Sequence, residues 1–193
     1  MPTQLEILCS QSPMDLVFVV DGSGSVAADN FEKQIDFVKA VVSNMTVSED
    51  QTRIAMVQFS SFPETEFGFL TDEDQLLDKL DNVTQLIGGT NTGAAITYAY
   101  DNIIIGNQRE GARICVLVLT DGFSFDDVVT PSDNLRGHGV YMFAAGWQQA
   151  NEVQLQAIAN EPVEDFVYQG ATVDDLLAVT DDLTTVICSQ PVS

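Results

Sequence analysis

At 193 residues the chain has the size of one large domain, and an apolar content of 45% is ample for a core. Seven Lys and Arg against 29 Asp and Glu give a net charge of −22; such a field opposes nucleic acid and anionic membranes and favours basic partners or divalent cations, unless it serves solubility alone. No apolar run reaches membrane-spanning length, and Met1-Pro2-Thr3-Gln4 has neither the basic nor the apolar stretch of a signal peptide, so the chain reads as a mature fragment.

Residues 1–14 read as an irregular lead-in. Asp15-Leu16-Val17-Phe18-Val19-Val20-Asp21 follows, five apolar residues in a row, the pattern of a strand buried on both faces of a parallel sheet. It ends in Gly22-Ser23-Gly24-Ser25. An acid at the tip of a buried strand needs its charge compensated. Asp21, Ser23 and Ser25 can aim their oxygens at one spot, a set suited to a hard cation, Mg²⁺ before others. Two plainer readings compete. Asp21 and the serines can cap the next helix. Gly22 to Ala27 also spells the G-x-G-x-x-A of a dinucleotide-binding turn, but the next strand ends in Gln58-Phe59-Ser60, with no acid for a ribose, and Asp21 would repel a pyrophosphate.

A helix is expected from a capping box at Asp29 and Glu32 to about Met45, then a strand over 53–60. Its neighbour over 64–70 is close enough in sequence for an antiparallel hairpin. Thr71 and Asp74 open a short acidic helix to about Val83. Gly88-Gly89-Thr90-Asn91-Thr92-Gly93 leads into a helix over about 92–105. Strand 113–119, apolar from Ile114 to Leu119, delivers Thr120-Asp121-Gly122. Ser124 and Asp127 cap a helix to about Arg136, followed by a strand over 140–145 that leads to Trp147, read as a packing residue. Asn151 and Gln154 open the next helix. A last short strand over 165–168 and a final helix over about 172–187 complete an α/β open sheet with helices on both faces. In such sheets ligands bind at the carboxyl ends of strands where the strand order reverses.

The series D-G-S-G-S at 21–25, G-G-T-N-T-G at 88–93 and L-T-D-G at 119–122 resembles the von Willebrand factor type A domain, and Thr120 to Val128 is most similar to its matrilin and collagen branch. The likeness covers about 15–188. It implies a single domain over 15–188, with 1–14 as a lead-in carrying Cys9 and 189–193 as a tail. The implied sheet is six-stranded and mostly parallel, with one antiparallel edge strand. The resemblance also implies a metal-ion-dependent adhesion site: Ser23 and Ser25 as direct ligands, Thr90 direct or through water, Asp21 and Asp121 largely through water. The ion would be Mg²⁺, with Mn²⁺ or Ca²⁺ as alternatives.

It further implies a disulfide between Cys9 and Cys188, a secreted or ectodomain setting, and membership of a larger multidomain protein. The implied function is binding of an extracellular matrix protein, collagen among them, through a carboxylate of the ligand, with no enzymatic activity, no nucleic acid and no membrane insertion. In integrin inserted domains the final helix shifts on ligand binding; the disulfide would hold that helix in one register. Cys115, inside a strand, reads as a small buried apolar residue. Asn44-Met45-Thr46 and Asn82-Val83-Thr84 are glycosylation sequons. Two rival functions remain. One is an acidic structural module that binds calcium or mineral. The other is Mg²⁺-dependent phosphoryl transfer, against which stand Ser23 where a second acid is wanted, the lack of a loop lysine, and a sole histidine, His138, in a glycine-flanked turn.

Overall fold

In the computed structural model, which describes residues 1–192, every residue of the strand Met14–Asp21 (β1) is buried. A run of Val, Leu and Phe fits this position because both faces of a central parallel strand are covered. β1 pairs in parallel with Thr52–Phe59 (β2) on one side and Arg113–Thr120 (β4) on the other, Val17 facing Ala55 and Val116. Pro63–Leu70 (β3) lies antiparallel outside β2, and Tyr141–Trp147 (β5) and Val167–Gly170 (β6) continue beyond β4. The order β3-β2-β1-β4-β5-β6 reverses direction at β1. The carboxyl ends of β1 and β4 therefore flank the crevice where open α/β sheets bind ligands.

Helices cover both faces. Ala28–Val42 (α2) presents Phe31, Ile35, Val38 and Val42 to the sheet at helical spacing. On its side lie Glu73–Asp81 (α3), Val173–Ala178 (α8) and Thr180–Ser189 (α9). Thr92–Ala99 (α4), which continues as a π turn over Tyr100–Ile104, packs with Val129–Gly137 (α5) and Glu152–Ile158 (α6) on the other. Trp147 is fully buried in the core, as is Cys115, whose thiol burial pushes up to about 12.

Several local expectations need correction. The lead-in is not irregular: Gln4–Cys9 forms a helix (α1), closed by a capping box of Thr3 and Glu6 and packed on α9. Asp29 and Glu32 form no capping box. The N-cap is Ala27, so Asp29 sits inside the first turn, where its charge favours the helix dipole instead. Asp72, not Thr71, caps α3. The last strand begins at Val167, two residues later than expected, because Val163–Phe166 (α7) forms a helical turn. The final helix is broken at Val179 into α8, opened by a capping box of Thr172 and Asp175, and α9. α9 takes in Ser189 from the assigned tail; the tail's last residue, Ser193, lies outside the described residues.

The foot of the sheet is tied twice. Fully buried Asp15 accepts two hydrogen bonds from Arg53 (2.8 and 2.7 Å) and two from Arg109 (3.1 and 2.7 Å). Removing either kind of partner would strand a charge at this end. Beside it, Cys9 and Cys188 are disulfide-bonded with Cα atoms 4.7 Å apart, 179 positions apart in sequence. A loop that long is entropically expensive to close, so the bond is expected to stabilise the native state by about 5 kcal/mol in the chain-entropy account. Urea unfolding of Cys9→Ser/Cys188→Ser against the parent should therefore show a clearly lower midpoint; coincident curves would mean that the packing of α1 on α9 alone holds the ends.

Candidate metal centre

Three loops meet above β1 and β4. The first follows β1 directly. Asp21 Oδ1 accepts the Ser23 amide at 2.9 Å and Oδ2 accepts the Thr120 hydroxyl at 2.7 Å, so the tips of β1 and β4 are cross-tied through one carboxylate. Ser23 Oγ lies 3.0 Å from Ser25 Oγ, and Ser25 Oγ donates to Asp121 Oδ1 at 2.8 Å. Asp21, Ser23, Ser25 and Asp121 thus form one continuous cluster. Asp21 and Ser23 are fully buried, Asp121 nearly so, and Ser25 is exposed. The cluster opens into a shallow depression of about 280 Å³ lined by Ser25, Thr90, Gly122, Phe123, Phe125 and Gln149 with Gly88 and Gly89. Thr90, buried in its wall, uses its carbonyl to accept the Phe125 amide at 2.9 Å.

Residues that no motif flagged hold these loops in place. Gln34 on α2 donates to the Asp21 carbonyl at 2.9 Å. Gln58 on β2 crosses so close to Gly22 that a Cβ there would stand 1.9 Å from its Oε1, which is why position 22 must be glycine. Gln58 then donates to the Thr84 carbonyl (2.9 Å) and accepts the Leu86 amide (2.7 Å). Gln85 reaches back to the carbonyls of Ser23 (3.0 Å) and Val26 (2.8 Å). The second loop is thereby clamped on the first, with Ile87 N on Gly22 O and Gly24 N on Gly88 O.

The third loop supports α4. Ser124 does not cap α5; its hydroxyl accepts the Thr92 amide at 3.0 Å and donates to Asp126. Asp126 accepts the amides of Gly93 and Ala94, 2.8 and 2.7 Å, and so caps α4 from another loop. Asp127 caps α5 through the Val129 amide.

Burial pushes the Asp21 carboxyl above the ordinary aspartate range, opposed by hydrogen bonds from Ser23 and Thr120 and reinforced by nearby Asp121. Burial raises Asp121 as well, against the hydrogen bond from Ser25. No Lys, Arg or His lines the depression to offset these charges. Its donors are all oxygens, and among the described residues no three His, Cys, Asp or Glu stand together. The set therefore fits a hard divalent cation resting mainly on neutral hydroxyls, with the two acids behind them. His138 is elsewhere, at the end of α5, with Nδ1 2.7 Å from Asn134 O and its ring 5.1 Å from that of Tyr100. Of the two sequons, Asn82 is exposed at the end of α3 and Asn44 half-buried.

A strand-end acid, a serine pair and a second acid meet at the switch point of this open α/β sheet. The family model for the von Willebrand factor type A domain matches residues 15–182, and the chain belongs to that family. It is 34% identical over 94% of its length to the collagen α-4(VI) chain of Mus musculus, and 30% identical over 93% to matrilin-2 of the same organism. It spans only 8% and 20% of those two proteins. Proximal thread matrix protein 1 from the mussel byssus, solved with a zinc-occupied MIDAS motif, superposes with a TM-score of 0.85 at 26% identity, over 93% of this chain and 47% of that one. The relatives are extracellular matrix proteins, and the chain is extracellular with them. No helix among the described residues is long and apolar enough to cross a membrane.

The raised carboxyls set the sign of a pH effect. Their native pKa values lie above the unfolded ones, so their contribution to metal-free stability is full in acid and lost as pH rises through the native values. Metal needs the ionised forms, so Mn²⁺ affinity should weaken on acidification while still above the ordinary aspartate pKa, by up to about tenfold per pH unit for each carboxyl. Titrations by Mn²⁺ electron spin resonance at stepped pH check this; Asp21→Asn should flatten the profile, and a profile flat in the parent would contradict it.

Proposed function

We propose that the domain spans residues 15–188 and binds an extracellular matrix protein, with collagen the leading candidate, through a divalent cation at this cluster. Ser23 and Ser25 hold the ion directly, Thr90 does so directly or through water, and Asp21 and Asp121 act largely through water. Mg²⁺ is the ion assigned, with Mn²⁺ or Ca²⁺ as alternatives. When bound, Mg²⁺ keeps exchangeable positions and leaves one to a carboxylate of another molecule. The observation that carries this reading is the chain Ser23 Oγ–Ser25 Oγ–Asp121 Oδ1 standing over buried Asp21 with no cationic side chain beside it.

The residues divide the work. The two hydroxyls offer neutral oxygen, so the charge of the ion remains available to an incoming anion. Asp21 and Asp121 supply the compensating charge from behind. Thr120 and the Ser23 amide fix Asp21 in orientation, and Gln85 keeps the serine loop from opening. Ser23 occupies the place where phosphoryl transfer wants a second acid, and no lysine or histidine lines the depression, which supports reading the domain as a binding module rather than an enzyme. It belongs to a larger multidomain protein, with glycans at Asn44 and Asn82 part of the same reading. The disulfide holds α9 in one register, which suits a constitutive binder. The charge of −22 supports a second reading, an acidic calcium- or mineral-associated module; many weak calcium sites in the presence of Mg²⁺ would favour it.

Ser23→Ala/Ser25→Ala, and separately Asp21→Ala, should lower Mg²⁺-dependent retention on immobilised collagen by at least about 100-fold with the circular dichroism spectrum unchanged. Chelator-resistant retention by the double serine variant would dismiss the metal from the mechanism.

A further inference from the structure

Of the 11 phenylalanines, those exposed among the described residues are Phe62 (77%), Phe123 (55%) and Phe125 (78%); the last two lie on the third loop of the candidate metal centre and Phe62 in the turn between β2 and β3, beside the second. Ile87, 68% exposed, joins them. Phe123 and Phe125 line the depression with Ser25 and Thr90. Ile87 precedes Gly88 of that lining, and its Cγ2 is 3.6 Å from where a Cβ on Gly24 would stand, over the backbone between the two serines. Phe62 follows Ser61, whose Oγ accepts the Gly89 amide at 2.8 Å. Exposed apolar residues scattered singly need no explanation; two that line one depression, with two more beside its Gly88–Gly89 wall, do.

Ile87 adds an independent observation. Its φ is +61°, a conformation in which a β-branched residue is strained. Glycine would relieve that strain and remove the exposed apolar surface as well. The isoleucine therefore carries two unfavourable features that the fold does not need, a pattern found where a ligand makes use of them. Charge narrows the ligand. Five of the seven basic side chains are ion-paired, Arg113 is buried, and none lines the depression, so the net charge of −22 is not offset there. A bare acidic segment would be repelled; one whose acid sits among cationic and apolar neighbours is attracted and then gripped.

We propose that this apolar rim selects protein segments in which the metal-seeking carboxylate is flanked by an apolar side chain within cationic sequence, and that Ile87 is a strained contact residue for that side chain. The proposal rests on the metal-dependent reading above. The probes are four short peptides displayed at equal density on beads in Mg²⁺. The first is lysine-rich with a central glutamate between two leucines. The others replace the leucines with serine, the glutamate with glutamine, or the lysines with glutamate. The first should be retained at least about tenfold better than each of the rest. Phe125→Ser and Ile87→Gly should each remove most of that preference while Mn²⁺ affinity stays within about twofold, and Ile87→Gly should raise the melting temperature. Equal retention of the leucine and serine peptides, retention of none, or a lower melting temperature for Ile87→Gly would overturn the proposal. Retention on phosphatidylserine vesicles in place of peptides would assign the rim to a membrane and overturn it too. Retention of the glutamine peptide in chelator would instead overturn the metal-dependent reading itself.

Discussion

A carboxylate withdrawn from water at the tip of the central strand is the constraint from which the upper half of the molecule follows. Asp21 is fully buried, and a buried acid is tolerated only where donors or a cation meet it. The Ser23 amide bends the chain back over Asp21 to provide one donor, and Thr120 brings the neighbouring strand to provide another. The turn so formed leaves position 22 without room for a side chain, and Gln58 fills that space. Gln58 in turn fixes the loop after α3, which Gln85 fastens to the serine turn. One desolvated charge thus sets the shape of two loops that are distant in sequence.

The sheet was legible because its strands announce themselves. The unbroken apolar runs in β1 and β4 fit the middle of a parallel sheet, and β1 ends in Asp21 while β4 leads straight into Asp121. Ser23, Ser25 and Thr90 were legible through motifs. The clamps were not. Gln58, Gln85 and Thr120 find their partners 26, 62 and 99 positions away, and a lone Gln or Thr carries no local signal of such a partner. α1 was missed for a related reason. Six residues are too few to show helical periodicity, and this helix exists because α9 and Cys188 receive it. The break at Val179 was hidden because the apolar spacing continues through it. Ile87 was invisible altogether, since only the backbone reveals what is unusual about it.

Charge is sorted along the strand axis. Arg53 and Arg109 gather at the foot of the sheet around Asp15, while the depression at the opposite end is lined by no cationic side chain. At the foot, the Asp15 carboxylate is paired with two arginines within the protein and so holds strands together. At the other end the acids stand behind a depression walled by glycine and threonine, with no cationic side chain lining it.

The disulfide has a mechanical meaning. Cys9 and Cys188 lie within 4.7 Å of each other at the foot, and β1, eight residues long, separates them from the serine loop by about 26 Å. Tension applied at the two ends of the chain crosses from one to the other through a single covalent bond. The sheet, its helices and the loops above it hang beside that line of force as a pendant. Stretching the flanking segments therefore loads sulfur and not hydrogen bonds, and the far end of the domain keeps its shape whether the chain around it is slack or taut.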